Sequence, residues 1–120
     1  MANVLTVDDS VSLRKLVAST LSTAGHQVVE ASNGMEGLEI LKTRKFNLII
    51  SDINMPVMDG LTFIKHVREL AAHKFTPILV LTTEMDPAKK KLAKDSGATG
   101  WLVKPFDPEQ LLNTIRKVLG

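Results

Sequence analysis

The sequence predicts an α/β fold in which a doubly wound, five-stranded parallel sheet carries helices on both faces. Strand-like apolar segments alternate along the chain with segments whose apolar residues recur at helical spacing. This alternation is typical of βαβ units, whose right-handed crossovers bring successive strands into one parallel sheet. The run Leu48-Ile49-Ile50 is apolar throughout, as expected of a strand that helices cover on both sides.

Each predicted strand is followed by a predicted helix. We expect strands at residues 4–7, 27–31, 48–50, 77–82 and 100–103, and helices at residues 13–21, 35–41, 60–71, 86–95 and 107–119. Pro77 opens the fourth strand, where its missing N–H group is tolerated. Because 120 residues is an ordinary length for one domain, we expect residues 1–120 to form a single unit.

Turn and capping residues mark the helix ends. Gly25 follows the first helix, where a left-handed cap is favoured, and Asn33-Gly34 marks the turn into the second helix. Gly60 begins the third helix. Asp107 is suited to cap the last helix, with Pro108 at the first helical position.

The fourth helix is predicted to be held loosely. Its apolar stripe of Met85, Ala88 and Leu92 is thin and runs beside four lysines. Helices that bury few apolar contacts open more readily than the rest of a domain.

Composition excludes several classes of protein. The hydrophobic fraction of 44% and the charged fraction of 23% are those of a soluble globular protein. The absence of cysteine excludes disulfide frameworks, thiolate metal sites and cysteine nucleophiles. The net charge of +2 and the lack of aromatic residues among the lysines argue against nucleic-acid binding.

Since no apolar run is long enough to span a membrane, we expect a cytoplasmic protein with no membrane partner. The histidines lack metal-ligand spacing and are assigned no function.

Polar residues follow four of the predicted strands. Asp8 and Asp9 follow the first strand, Asp52 follows the third, Thr82 ends the fourth and Lys104 follows the fifth. The carboxyl ends of parallel strands form the ligand-binding edge of such sheets. Three converging carboxylates repel one another unless a cation lies between them, and Mg²⁺ prefers oxygen ligands of this kind. A carboxylate can also attack phosphorus, with a hydroxyl and an ammonium stabilising the transferred group.

Four segments together resemble a response-regulator receiver domain. They are the acidic pair Asp8-Asp9, the run Asp-Ile-Asn-Met-Pro-Val-Met-Asp-Gly at residues 52–60, Leu-Thr-Thr at residues 81–83, and Gly-Trp-Leu-Val-Lys-Pro-Phe at residues 100–106. The resemblance covers essentially the whole chain and is greatest to single-domain chemotaxis members of the family. It implies a flavodoxin-like sheet with strand order 2-1-3-4-5.

The resemblance also implies the composition of a metal site. Asp52 would be the phosphoacceptor, and Mg²⁺ would be held by Asp9 and Asp52 directly and by Asp8 through water. Asn54 would contribute its backbone carbonyl.

Further roles are implied at the ends of the fourth and fifth strands. Thr82 and Lys104 would bind the phosphoryl group, and the Lys104–Pro105 bond would be cis. Thr82 would also act as the switch hydroxyl with Trp101, which stands where the family usually has tyrosine. Asn54 and Glu84 match the pair that tunes dephosphorylation in chemotaxis regulators.

The resemblance implies a monomeric signalling switch rather than an enzyme acting on a separate substrate. A histidine kinase would supply the phosphoryl group, a phosphatase could remove it, and the target would be a flagellar motor switch protein or another partner. That target would bind the surface of the fourth helix, fifth strand and fifth helix. Two alternatives stay open: a single-domain regulator of a non-chemotaxis phosphorelay, and an aspartate-nucleophile phosphatase. Against the phosphatase, Asn54 stands where a second aspartate is expected, and the chain has no cap domain.

Overall fold

The computed structural model describes residues 1–120 as a five-stranded parallel sheet with five α-helices. The strands are β1 (Asn3–Val7), β2 (Gln27–Ala31), β3 (Leu48–Ser51), β4 (Ile78–Thr82) and β5 (Gly100–Val103). The helices are α1 (Val11–Thr23), α2 (Gly34–Thr43), α3 (Gly60–Glu69), α4 (Pro87–Ser96) and α5 (Pro108–Leu119). No helix combines the length and apolar character that crossing a membrane would require.

The strand order is β2-β1-β3-β4-β5, as predicted. Val7 at the end of β1 lies opposite both Ala31 and Ser51, and Thr82 at the end of β4 lies opposite Val103. The carboxyl ends of the strands therefore meet along one edge of the sheet. This edge is the one that the sequence predicts to carry the site.

Each face of the sheet supports its own apolar core, which confirms the doubly wound architecture. Leu5 and Ile49 belong to the core that α2, α3 and α4 cover, whereas Val4 and Leu48 belong to the core that α1 and α5 cover. Successive strand residues point to opposite faces, so buried strands need apolar residues at every position. The apolar run in β3 meets this requirement.

Helix α3 ends earlier than predicted. It stops at Glu69, and Ala71, expected to continue it, lies in a short 3₁₀ turn. The turn places His73 in the interior, where Nδ1 lies 3.0 Å from the Thr76 hydroxyl and Nε2 lies 3.2 Å from the Arg44 carbonyl oxygen. Buried polar groups need such partners. His73 is thus a structural residue that fastens two loops at the amino-terminal edge of the sheet.

The predicted apolar stripe of α4 is wrong. Met85, Ala88 and Leu92 are all exposed, and the buried residue of this helix is Ala93. Asp86 caps the helix by accepting a hydrogen bond from the Ala88 amide. Leu16 in α1 and Met35 in α2, whose helical spacing with other apolar residues favours core positions, are exposed too.

Gly60 brings the start of α3 against the backbone that follows β3. Its amide donates to the Ile53 carbonyl oxygen at 2.7 Å. A β-carbon at this position would stand 2.2 Å from the Asp52 carbonyl oxygen and 2.6 Å from the Ile53 α-carbon. Only glycine therefore allows the helix to approach the Asp52 segment this closely.

We expect Gly60→Ala to lower the free energy of unfolding by about 1–3 kcal/mol, because the added methyl group must displace backbone rather than a side chain. Urea denaturation measures the loss. Gly34→Ala is the matched control, since its β-carbon would first meet the flexible side chain of Met58, at 3.1 Å. Equal denaturation midpoints for the two variants would show that the close approach imposes no constraint.

Candidate functional site

The structure brings together the three carboxylates that the sequence singled out. One oxygen each from Asp8, Asp9 and Asp52 lies within 4.8 Å of the others. Asp8 and Asp52 are buried, with 4% and 8% of their surface exposed, whereas Asp9 is open to solvent. This cluster is a concentrated set of hard oxygen donors, which suits a magnesium-sized divalent cation.

Lys104 links two of these carboxylates across the sheet. Its Nζ donates to Asp8 Oδ2 at 2.7 Å and to Asp52 Oδ2 at 3.0 Å, and its side chain is 4% exposed. The Lys104 amide donates to the Thr82 carbonyl oxygen at 2.8 Å, and the following Lys104–Pro105 bond is cis, as predicted. The Lys104 ammonium therefore lies between the carboxylates that follow β1 and β3.

Lys104 keeps its charge in this buried place. Burial by itself lowers the pKa of the ammonium, but hydrogen bonds and charge attraction from Asp8 and Asp52 outweigh it. The pKa of Lys104 is accordingly raised above its ordinary value. An ammonium of this kind stays protonated throughout the neutral range.

The carboxylate of Asp52 is oriented by its own loop. Its Oδ1 accepts hydrogen bonds from the amides of Ile53 at 2.6 Å and Asn54 at 3.3 Å, while Oδ2 faces Lys104. Backbone amides that point at an anion stabilise its charged form. Asp52 thus presents a carboxylate of fixed orientation at the end of β3.

Thr82 lies at the same edge on the neighbouring strand. It is fully buried, and its hydroxyl oxygen accepts a hydrogen bond from the Glu84 amide at 3.2 Å. Val80 of β4 is the register partner of Ser51, so Thr82 stands two residues beyond the level at which β3 ends. Thr82 and Asp52 therefore lie at the same edge of the sheet, on neighbouring strands.

Asn54 and Glu84 meet at the mouth of the site. The Asn54 amide group donates to Glu84 Oε1 at 3.5 Å, and Lys89 of α4 donates to the same oxygen at 3.0 Å. The hydrogen bond from Lys89 is the main cause of a lowered pKa at Glu84. Sequence reasoning missed Lys89. It lies five residues after Glu84, and the two residues are separated by Asp86, the N-cap of α4.

Trp101 lies in β5 beside α4. It is half-buried in β5 and borders a groove of about 450 Å³ between that strand and α4. The helix lines this groove with lysines and one buried alanine: Lys90, Lys91, Lys94 and Ala93. The groove gives the indole open space on one side.

Sequence reasoning also missed Arg14, which reaches back from α1 to the acidic loop. Its Nη1 donates to the Asp8 carbonyl oxygen at 2.6 Å, and its Nε donates to Glu30 Oε1 on β2 at 3.1 Å. The available signal was an arginine one turn into the helix that follows the acidic pair. Long helical side chains extend toward the helix amino terminus, which is where the acidic pair lies.

Comparisons with known proteins agree on one family. Residues 4–116 match the model described as the response regulator receiver domain. A chemotaxis protein CheY homolog of Campylobacter jejuni is 38% identical over 118 residues, covering 97% of this chain and 91% of the relative. Protein PilH of Pseudomonas aeruginosa is 34% identical over 120 residues, covering 100% and 99%. The crystallised chemotaxis protein CheY4 of Vibrio cholerae superposes with a TM-score of 0.95 at 55% identity over 98% of each chain.

We expect Lys104→Met to destabilise the fold by about 3–5 kcal/mol, because it leaves two buried carboxylates without their cation. Chemical denaturation without divalent cations measures this loss. Added Mg²⁺ should restore more stability to the variant than to the wild type, since it replaces the missing positive charge. Lys42→Met is the control, because Lys42 pairs with Glu39 on the exposed surface. A variant as stable as the wild type would show that the acidic cluster needs no internal cation.

Proposed function

The chain belongs to the response regulator receiver domain family, and on that basis we propose that it is a phosphorylation-activated switch of a two-component system. The observation that carries the proposal is the oriented Asp52 carboxylate, which clusters with two other carboxylates and contacts the buried Lys104 ammonium. In this proposal a histidine kinase supplies the phosphoryl group and Asp52 accepts it.

The proposed reaction is attack by an Asp52 carboxylate oxygen on the phosphorus of a phosphohistidine. The P–O bond to Asp52 forms as the P–N bond breaks, and the imidazole leaves with the electron pair of that bond. Amides of Ile53 and Asn54 hold the nucleophile in place through Oδ1, which leaves Oδ2 as the reacting oxygen. Lys104 contacts Oδ2, so its ammonium can also stabilise the negative charge on the phosphoryl oxygens.

The acidic cluster fits Mg²⁺ because all of its donors are hard oxygens and carry excess negative charge. In the proposal Asp9 and Asp52 bind the metal directly, Asp8 binds it through water, and Asn54 contributes its backbone carbonyl. Bound Mg²⁺ would neutralise charge on the phosphoryl oxygens.

The proposed signal arises from Thr82 and Trp101. A phosphoryl group on Asp52 would draw the Thr82 hydroxyl toward it, and the space this vacates would allow Trp101 to rotate beside α4. New charge that biases a bistable element is a common basis of such switches. The target would then bind the changed surface of α4, β5 and α5.

Asn54 and Glu84 are proposed to tune the lifetime of the phosphorylated state. They form one polar pair at the mouth, where water must enter to hydrolyse the acyl phosphate. A phosphatase partner would act at the same opening.

Chemotaxis is the proposed pathway, with a flagellar motor switch protein as the target, because CheY proteins are similar to this chain over nearly all their length. The similarity to PilH keeps a non-chemotaxis pathway as the second candidate. Phosphotransfer profiling against the histidine kinases of the host distinguishes the two.

We expect Asp52→Asn to abolish phosphorylation by acetyl phosphate with Mg²⁺ while the fold persists, because the amide keeps the shape of the side chain without its nucleophilicity. Intact-protein mass spectrometry detects the added phosphoryl group. Asp59→Asn is the matched control, since Asp59 is an exposed cap of α3 and should leave phosphorylation unchanged. Full phosphorylation of Asp52→Asn at another residue would refute the assignment.

A receiver domain and an aspartate-nucleophile phosphatase differ in turnover. We propose that this chain is not an enzyme with a separate substrate, and Asn54, two residues after Asp52, supports this because its amide contacts Glu84 and offers no carboxyl acid. Steady release of p-nitrophenol from p-nitrophenyl phosphate, lost in Asp52→Asn, would favour the phosphatase instead.

We expect the emission of Trp101, the only tryptophan, to shift when Mg²⁺ and beryllofluoride mimic phosphorylation. Rotation of the half-buried indole changes its exposure, and the open groove beside it permits that rotation. The shift should be absent in Asp52→Asn and with Mg²⁺ and fluoride alone. Trp101→Ala should weaken target binding yet leave Asp52 phosphorylation nearly intact. Identical emission with and without saturating mimic would remove Trp101 from the switch.

A further inference from the structure

We propose that Arg14 is a positioning residue for the metal site, because it fixes the peptide plane that joins Asp8 to Asp9. The inference rests on the proposed function, in which these two residues hold Mg²⁺. It assigns a role in metal affinity to a side chain that touches neither the metal position nor Asp52.

The guanidinium of Arg14 connects three elements. Arg14 belongs to the first turn of α1, its Nη1 donates to the Asp8 carbonyl oxygen at 2.6 Å, and its Nε donates to Glu30 on β2 at 3.1 Å. The Arg14 side chain is 12% exposed and that of Glu30 is 23% exposed. A charge-assisted hydrogen bond screened from water in this way is stronger and better oriented than one at the surface.

The contact matters because Asp8 and Asp9 are held differently. Asp8 is fixed at several atoms: its amide donates to the Ala31 carbonyl oxygen, while its carboxylate accepts from the Ser10 amide and from Lys104. Asp9 is exposed, so its direction depends on the backbone that precedes it. The Asp8 carbonyl and the Asp9 amide belong to one rigid peptide unit. By holding that carbonyl, Arg14 determines where the Asp9 side chain begins.

Only arginine supplies both contacts at once. Its planar group offers separate donors to a carbonyl oxygen and a carboxylate oxygen, whereas lysine carries a single ammonium on a flexible stem. Groups that orient metal ligands from outside the first coordination layer typically change metal affinity by roughly 10–100-fold when removed. We therefore expect Arg14→Ala to weaken Mg²⁺ binding about tenfold.

Electrostatics alone predicts that Arg14→Ala would bind Mg²⁺ more tightly than the wild type. Removing a positive charge near a divalent-cation site strengthens cation binding, because like-charge repulsion is lost. Arg14→Lys removes this ambiguity, since it keeps the charge and loses the paired donors. Its Mg²⁺ affinity should fall below that of the wild type, because the loss of the paired donors is then not offset by a loss of charge repulsion.

Lys15 provides the matched control. It donates to the other oxygen of the same Glu30 carboxylate at 3.0 Å, but its side chain is 65% exposed and does not reach the acidic loop. Lys15→Ala removes the same charge as Arg14→Ala and should leave Mg²⁺ affinity unchanged or slightly increased. Asp9→Ala serves as the positive control, because it removes a proposed direct ligand.

The experiment is calorimetric titration of Mg²⁺ into the wild type and the four variants, with thermal unfolding confirming that each is folded. Weaker binding in Arg14→Ala and Arg14→Lys, but not in Lys15→Ala, supports the inference. Wild-type affinity or tighter binding in Arg14→Lys overturns it, and this variant decides the matter if Arg14→Ala does not fold. A wild type that binds no Mg²⁺ overturns the proposed metal site and this inference with it, whereas normal wild-type binding with unaffected Arg14 variants overturns the inference alone.

A second readout needs no metal. In a nitrogen-15 spectrum of the metal-free protein, Arg14→Ala should displace the Asp9 amide resonance, because its peptide unit loses the hydrogen bond from Arg14. Lys15→Ala should leave that resonance in place. An unmoved Asp9 resonance in Arg14→Ala would overturn the role of Arg14 in positioning the loop.

Discussion

Lys104 donates hydrogen bonds to Asp8 and Asp52 from a side chain that is only 4% exposed, and the rest of the site depends on this pair of contacts. Asp8 follows β1, Asp52 follows β3 and Lys104 follows β5, so one ammonium joins the ends of three strands. Two carboxylates buried so close together would otherwise repel each other. The ammonium of Lys104 offsets this repulsion by contacting both carboxylates.

The balance of charge around Lys104 also explains why the site suits a divalent cation. Three carboxylates face one ammonium, so negative charge remains in excess at the strand ends. Asp9 is the exposed carboxylate, which leaves the cluster open to solvent on the side from which an ion can enter. In the proposed switch, a phosphoryl group on Asp52 would add further negative charge. Lys104 donates to Oδ2, the oxygen that would carry this group. The same ammonium can therefore serve the resting and the modified state.

Much of this arrangement could be predicted from the sequence, because it depends on short-range patterns. The apolar run in β3 ends directly at Asp52, and parallel strands present their carboxyl ends together, so the meeting of the carboxylates followed from strand assignment. The family resemblance supplied the strand order. The buried face of α4 could not be predicted, because the only buried residue of this mostly charged helix is a small alanine, Ala93. Arg14 was missed because one of its acceptors is a backbone carbonyl, which no side-chain pattern reveals.

The contacts of Thr82 connect the chemistry to the helix that carries the proposed output surface. Its hydroxyl oxygen accepts from the Glu84 amide, and the Glu84 carboxylate accepts from Lys89 on α4. Movement of Thr82 toward a phosphoryl group would displace the Glu84 amide. It would thereby shift the Glu84 carboxylate, to which Lys89 of α4 donates. Because Ala93 is the buried residue of α4, little apolar packing resists such a shift. The strand ends around Lys104 are held by several hydrogen bonds, whereas α4 buries a single residue. In the proposed switch, charge added at Asp52 would therefore displace α4 rather than the strand ends.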